Sequence, residues 1–168
     1  IAVVEAACCN PTGNRFEADL MLGLRVVSGN RSALESIAND TGGSIWAPAQ
    51  RAQAHLALRD LPAALQAYAE DPPDPRGSIN DLVNDEWVWR LPHVVNHAHL
   101  RILTGDESGR GALQALIVRA EELRADGIVN ADAVYWVASA HVVMGETGRA
   151  LEILEEAVRR GWRHAWWA

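Results

Sequence analysis

The chain has 168 residues, 49% of them hydrophobic and 22% charged, with a formal net charge of −7. These are the proportions of an ordinary globular domain, and they argue against a disordered chain. The acidic balance argues against a nucleic-acid footprint and a polybasic membrane anchor, and no uninterrupted apolar run reaches the ~20 residues of a membrane span.

All fifteen basic residues are arginine. That rules out a P-loop lysine, a Schiff-base lysine and a Ser-Lys dyad. No charged-then-apolar leader opens the chain, so the expected location is the cytoplasm. The chain starts at Ile1 inside the apolar run IAVVEAACC and stops at Trp166-Trp167-Ala168 without a polar cap. The expectation is a piece of a longer polypeptide. Cys8 and Cys9 read as small apolar residues at a helix end, not as a disulfide framework or a thiol metal site.

Ile1–Cys9 reads as the tail of a helix, stopped by Asn10-Pro11-Thr12-Gly13. Phe16 to Val27 forms a second helix with a broad apolar face, ended by Ser28-Gly29-Asn30. Ser32 and Glu35 have capping-box spacing, which predicts a short helix over Ala33–Ala38. Asn39 to Ser44 is a loop. A helical pair follows: Ala47–Leu58, then a helix capped by Asp60 with Pro62 in its first turn, where a missing N–H costs little. Ala64, Leu65 and Tyr68 face inward on it.

The run Asp71-Pro72-Pro73-Asp74-Pro75-Arg76-Gly77 cannot be helical. It divides N-terminal hairpins (1–71) from a C-terminal helical block (79–168), with 72–78 as a proline-rich loop. Ser78 and Asp81 cap a short helix bearing Trp87, Val88 and Trp89. The next helix runs from Pro92 to Leu103, and an extended turn over Asp106–Gly111 leads to a helix over Ala112–Ala125, closed by Gly127.

The last pair is the clearest. Asn130 caps a helix from Ala131, and Gly145-Glu146-Thr147-Gly148 is the turn. Ala150, Ile153, Leu154, Ala157 and Val158 fall on one face of the second helix. Its outer face carries the i,i+4 pairs Glu155–Arg159 and Glu156–Arg160, read as a solvated surface. After Gly161, the tryptophan-rich Trp162–Trp167 begins another helix, whose tryptophans cap this pair or meet a continuation of the chain or a partner.

Ala52 and Ala64 stand twelve residues apart, and so do Ala138 and Ala150, with a turn in the same place. Together with Tyr135-Trp136 in the first helix, Gly145 at the turn and Ala157 in the second, this stretch resembles a tetratricopeptide (TPR) repeat. The resemblance covers 45–168, most fully 131–161. The junctions at Asp60, Asp106 and Glu146 are spaced more widely than the family's ~34-residue unit. The implied fold is all-α, a short right-handed α-solenoid of antiparallel helix-turn-helix repeats. The implied function is a scaffold that binds a protein or peptide in a groove formed by the first helices. By the same resemblance, the chain would be a module of a larger bacterial regulatory or signalling protein.

The groove residues this implies are Trp46, Gln53, His99, Asp132, Tyr135 and Ser139. Trp46 and Tyr135 would anchor apolar area; Gln53, His99 and Ser139 would hydrogen-bond the peptide; Asp132 would add charge selectivity. Trp46, Trp87, Trp89 and Trp136 also read as wedges between helices.

One cluster invites a different chemistry. His93 and His97 stand at i,i+4, the spacing that presents two imidazoles to one metal. His99 points roughly 160° away from His97, and a third ligand from His55 or Glu86 would be a guess. The apolar face of Leu91, Val94, Val95, Ala98 and Ile102 leaves His93 and His97 on the opposite, surface or groove-lining side. The alternative reading is therefore a metal-binding protein or metal-dependent enzyme built on that pair. Ser139 and His141 point apart on one helix and make no dyad. With no catalytic constellation, the expectation is no enzyme, no cofactor and no nucleic-acid partner.

Overall fold

The computed structural model describes residues 28–40, 48–73, 91–127 and 131–162, with Leu22, Arg25 and Val26 besides. The described residues form seven helices and no strand, so the chain is all-α. The helices are α1 (Arg31–Ala38), α2 (Pro48–Ala57), α3 (Leu61–Glu70), α4 (Leu91–Leu103), α5 (Ser108–Ala125), α6 (Ala131–Met144) and α7 (Thr147–Arg159). They belong to two compact units, with the division in the chain between Pro72 and Pro73. No described helix is long and apolar enough to cross a membrane.

In the first unit α1 packs on α2 and α2 on α3. Its core holds Leu22, Leu34, Ile37, Ala38 and Ala54, with Leu58 against them. The cap of α1 is Asn30, not Ser32. The Asn30 side chain accepts from the Ala33 N–H at 3.2 Å, and the Ser32 hydroxyl donates to that same Asn30 oxygen at 3.1 Å. Helix α1 thus opens earlier than the capping-box spacing predicts, and Glu35 turns to Arg31 at 2.8 Å instead. Arg51 on α2 ties the unit together. It donates to the Asp40 carbonyl at 3.0 Å beyond the end of α1 and pairs with Glu70 at the end of α3.

In the second unit α4 packs on α5, α5 on α6 and α6 on α7, and α4 also meets α6. One core runs through all four helices: Leu91, Val94, Leu113, Leu116, Val134, Val137 and Ile153 are among its fully enclosed side chains.

The turns repeat one design. Gly29, Arg59, Gly105, Gly145 and Gly161 all have positive φ. At each, the residue after it donates its N–H back five positions: Asn30 to Arg25, Asp60 to His55, Asp106 to Arg101, Glu146 to His141 and Trp162 to Ala157. These are Schellman closures, in which a left-handed residue lets the last carbonyls of a helix find donors. Where the next helix follows at once, the same residue helps start it. Asn30 and Asp60 cap α1 and α3 with their side chains, and Asp106 accepts the Ser108 N–H at 3.0 Å at the head of α5.

The turn from α4 to α5 corrects the predicted one. Helix α5 begins at Ser108, not near Ala112, because Asp106 accepts the Ser108 N–H and Gly109 already sits between the helices. A Cβ on Gly109 would stand 2.4 Å from the Ala98 carbonyl oxygen. Ala98 and Gly109 thus mark a close helix approach in this hairpin. The small pairs of the other two hairpins are also buried: Ala52 and Ala64 at 0% exposure, Ala138 and Ala150 at 5% and 4%.

A second correction concerns the outer face of α7. Glu156 is not simply solvated: its side chain is 18% exposed and bridges Arg160, at 2.8 Å, and Arg124 of α5. Burial alone would raise its pKa, but hydrogen bonds and charge from Arg160 and Arg124 hold it below the usual glutamate value. Arg149 of α7 reaches Glu121 of α5 at 3.3 Å, so a second ion pair joins the same two helices.

Candidate functional site

Helix α6 carries three of the six groove residues. Asp132, Tyr135 and Ser139 are spaced by three and four positions, so they share one face, and all three are half-buried. The Ser139 hydroxyl donates to the Tyr135 carbonyl at 3.2 Å, one turn back on its own helix. Tyr135 is engaged on two sides. Trp136 meets it edge-on, with centroids 5.1 Å apart at 76°, and Trp162 stacks on it at 4.4 Å and 8°.

The remaining groove residues lie elsewhere. His99 is exposed on α4, the helix that packs beside α6. Gln53 is half-buried on α2 and belongs to the first unit. Trp46 lies outside the described residues, as do Cys8, Cys9, Glu86, Trp87 and Trp89. The α6 face is therefore the part of the set that one element holds together.

The histidine pair on α4 is not where its apolar periodicity puts it. His93 is 7% exposed, enclosed like Leu91, Pro92, Val94 and Val95 around it. The reason is that α4 packs against both α5 and α6, so its buried arc is wider than that of a helix in a lone hairpin. His97 is half-buried. Burial, then the nearby Arg101 charge, lower its pKa, and Asp106 opposes them. Among the described residues no three His, Cys, Asp or Glu side chains gather as a metal site.

Asp106 is no candidate base. Hydrogen bonds from Ser108 and then from Arg101, the latter at 2.7 Å, pull its carboxyl down to about 2. A carboxylate that acidic is a poor proton acceptor at neutral pH.

Two features escape a reading by single helices. His141, 4% exposed, places Nδ1 2.6 Å from Oε2 of Glu146, and its Nε2 is buried without a hydrogen-bond partner. Trp162 packs back on α6. The first leaves a trace in the sequence: a basic residue, three others, a left-handed residue and then an acid recurs at His55–Asp60, Arg101–Asp106 and His141–Glu146. Nothing local marks the second.

Compared with known proteins, the chain matches no protein-family model, no curated protein and no solved structure.

Proposed function

We propose that this chain is a helical interaction module that holds a peptide or protein partner in a groove formed by its first helices, in a TPR-like solenoid arrangement. The observation that carries this reading is the shared face of Asp132, Tyr135 and Ser139 on α6. An acid, an aromatic ring and a hydroxyl there combine charge selection, apolar area and hydrogen bonding at helical spacing.

Two further points support it. Hairpins closed by the same turn and drawn together at small residues are what a stacked helical repeat needs. Helix α4 also packs on α6 as well as on its own partner α5, which sets two first helices side by side. On this reading the chain is a module of a larger bacterial regulatory or signalling protein, and its chemistry belongs to whatever it recruits.

The test is affinity capture with the wild-type chain and with Ser139→Arg and His99→Ala, each checked for an unchanged circular dichroism spectrum and melting temperature. A specific partner retained by the wild type and lost with Ser139→Arg supports the reading. Capture that is indifferent to folded variants at both positions removes this face as the docking surface.

A further inference from the structure

Helix α7 is covered on two sides and open on a third. Ala150, Ile153 and Ala157 are buried, and Arg149 and Glu156 reach across to Glu121 and Arg124 of α5. The remaining side carries Leu151 at 56% exposure and Val158 at 46%. Half-buried Leu154 lies at one edge of it, and exposed Glu155 and Arg159 at the other. By periodicity Val158 belongs with the buried face; in the fold it lies open.

The charges on the two sides of the helix behave differently. Glu156 and Arg160 close at 2.8 Å, and Glu156 also holds Arg124. Glu155 and Arg159 have the same spacing of four, yet among the described residues neither has an ion pair. Glu152, the next acid on that side, is already paired with Arg149 at 2.9 Å. The open strip therefore offers two large apolar side chains, one unpaired acid and one unpaired base a turn further on. Such a strip is complementary to a copy of itself turned by half a rotation.

We infer that this face is where two copies of the chain meet, α7 against α7, antiparallel about a two-fold axis. A two-fold contact brings residue i of each copy to residue j of the other. Here Glu155 of each copy meets Arg159 of the other along one flank, and Leu154 meets Val158 along the opposite flank. The two pairs share a spacing of four and stand one position apart, so one axis level with Glu156 and Ala157 serves both. Leu151, further out, covers the end of the other α7. The contact stands apart from the docking reading of α6. One helix face is small beside the ~1,600 Å² of a standard interface, so the dimer is weak and its share rises with concentration.

The test is sedimentation of the 168-residue chain from low micromolar to near-millimolar concentration, where a reversible monomer–dimer equilibrium is expected. Glu155→Arg alone and Arg159→Glu alone each set like charges together and weaken the dimer on the order of tenfold. Mixed in equal amounts, the two variants restore it, because every contact between unlike copies is again an opposite pair. The double variant carrying both reversals restores it as well. Leu151→Glu abolishes the dimer, and it carries the test if the charge variants do not fold. A wild-type chain that stays monomeric overturns the inference and leaves the strip to a different protein. A dimer indifferent to Leu151→Glu and to both reversals overturns it too, by placing the self-contact elsewhere. A mixture no tighter than either single variant overturns the two-fold pairing.

Discussion

Nδ1 of His141 lies 2.6 Å from Oε2 of Glu146, across the single left-handed turn at Gly145 that joins α6 to α7. The imidazole is buried and the carboxylate half-exposed, so the contact pins the outer turn to the core. The same i,i+5 relationship recurs in Arg101–Asp106 at 2.7 Å and in His55–Asp60 at 3.9 Å. The basic residue ends one helix and the acid begins the next, the arrangement that both helix dipoles favour.

His141→Ala therefore removes a buried side chain and its partner bond together. The expected loss is about 2–4 kcal/mol, and Glu146→Ala should cost about 1 kcal/mol. Because the two residues share one interaction, the double variant should fall short of the sum by about 1 kcal/mol. Chemical denaturation of the four chains measures it, and strict additivity would show that the clasp contributes nothing.

Gly109 is a position where α5 lies close against α4. Gly109→Ala puts a Cβ against the Ala98 carbonyl, a backbone atom that cannot swing away. The expected cost is about 3 kcal/mol. Gly111, two residues on in the same helix, faces open space, and Gly111→Ala should stabilise by about 0.5–1 kcal/mol. Opposite signs at these two positions are the outcome to look for in thermal melts.

Arg59 is the one described non-glycine residue with positive φ, at 63°. It occupies the turn position that Gly105 and Gly145 hold in the other hairpins. Its Cβ is strained there, so Arg59→Gly should raise stability by about 0.5–1 kcal/mol, and Gly145→Arg should lower it by about 1 kcal/mol. A destabilised Arg59→Gly would mean that the arginine side chain holds the turn in some other way.

Among the described residues, His97 and Asp106 make stability depend on pH in separate windows. The pKa of His97 is lower folded than unfolded, so the unfolded chain takes up its proton first and stability falls as pH drops below about 6.5. Asp106 is also lowered, to about 2, so its contribution is complete above about 3.9 and is lost as pH falls toward 2. His97→Gln should flatten the melting temperature between pH 7 and 5, and Asp106→Asn should flatten the acid limb. Since Asp106 raises His97, Asp106→Asn should also move the His97 titration lower by NMR. A His97 curve that stays in place would disprove that coupling.

Much of the helix order was legible in the residues. Asp60, Gly105 and Gly145 announce their turns because caps and left-handed residues act within a few positions of chain. The twelve-residue spacing of Ala52 to Ala64 and of Ala138 to Ala150 points to buried small pairs for the same reason: periodicity on a helix is a local property. Asp132, Tyr135 and Ser139 share a face by spacing alone.

What lies between helices was not legible. The Ala98–Gly109 approach was hidden because its spacing is eleven residues, and Gly109 looked like part of a loop. His93 read as a surface residue because one apolar stripe allows for one packing partner, while α4 has two. Glu156 read as solvated because its second partner, Arg124, is 32 residues away.

By itself, then, the sequence determined the all-α class, the placement of most helices and the turns that close them, all through interactions a few residues long. Only the tertiary structure decided that His93 is enclosed, that His141 meets Glu146 from a buried site, and that Trp162 covers Tyr135. Each of these depends on which helices lie side by side, a choice made by the shared burial of apolar area across four helices and not by any one segment.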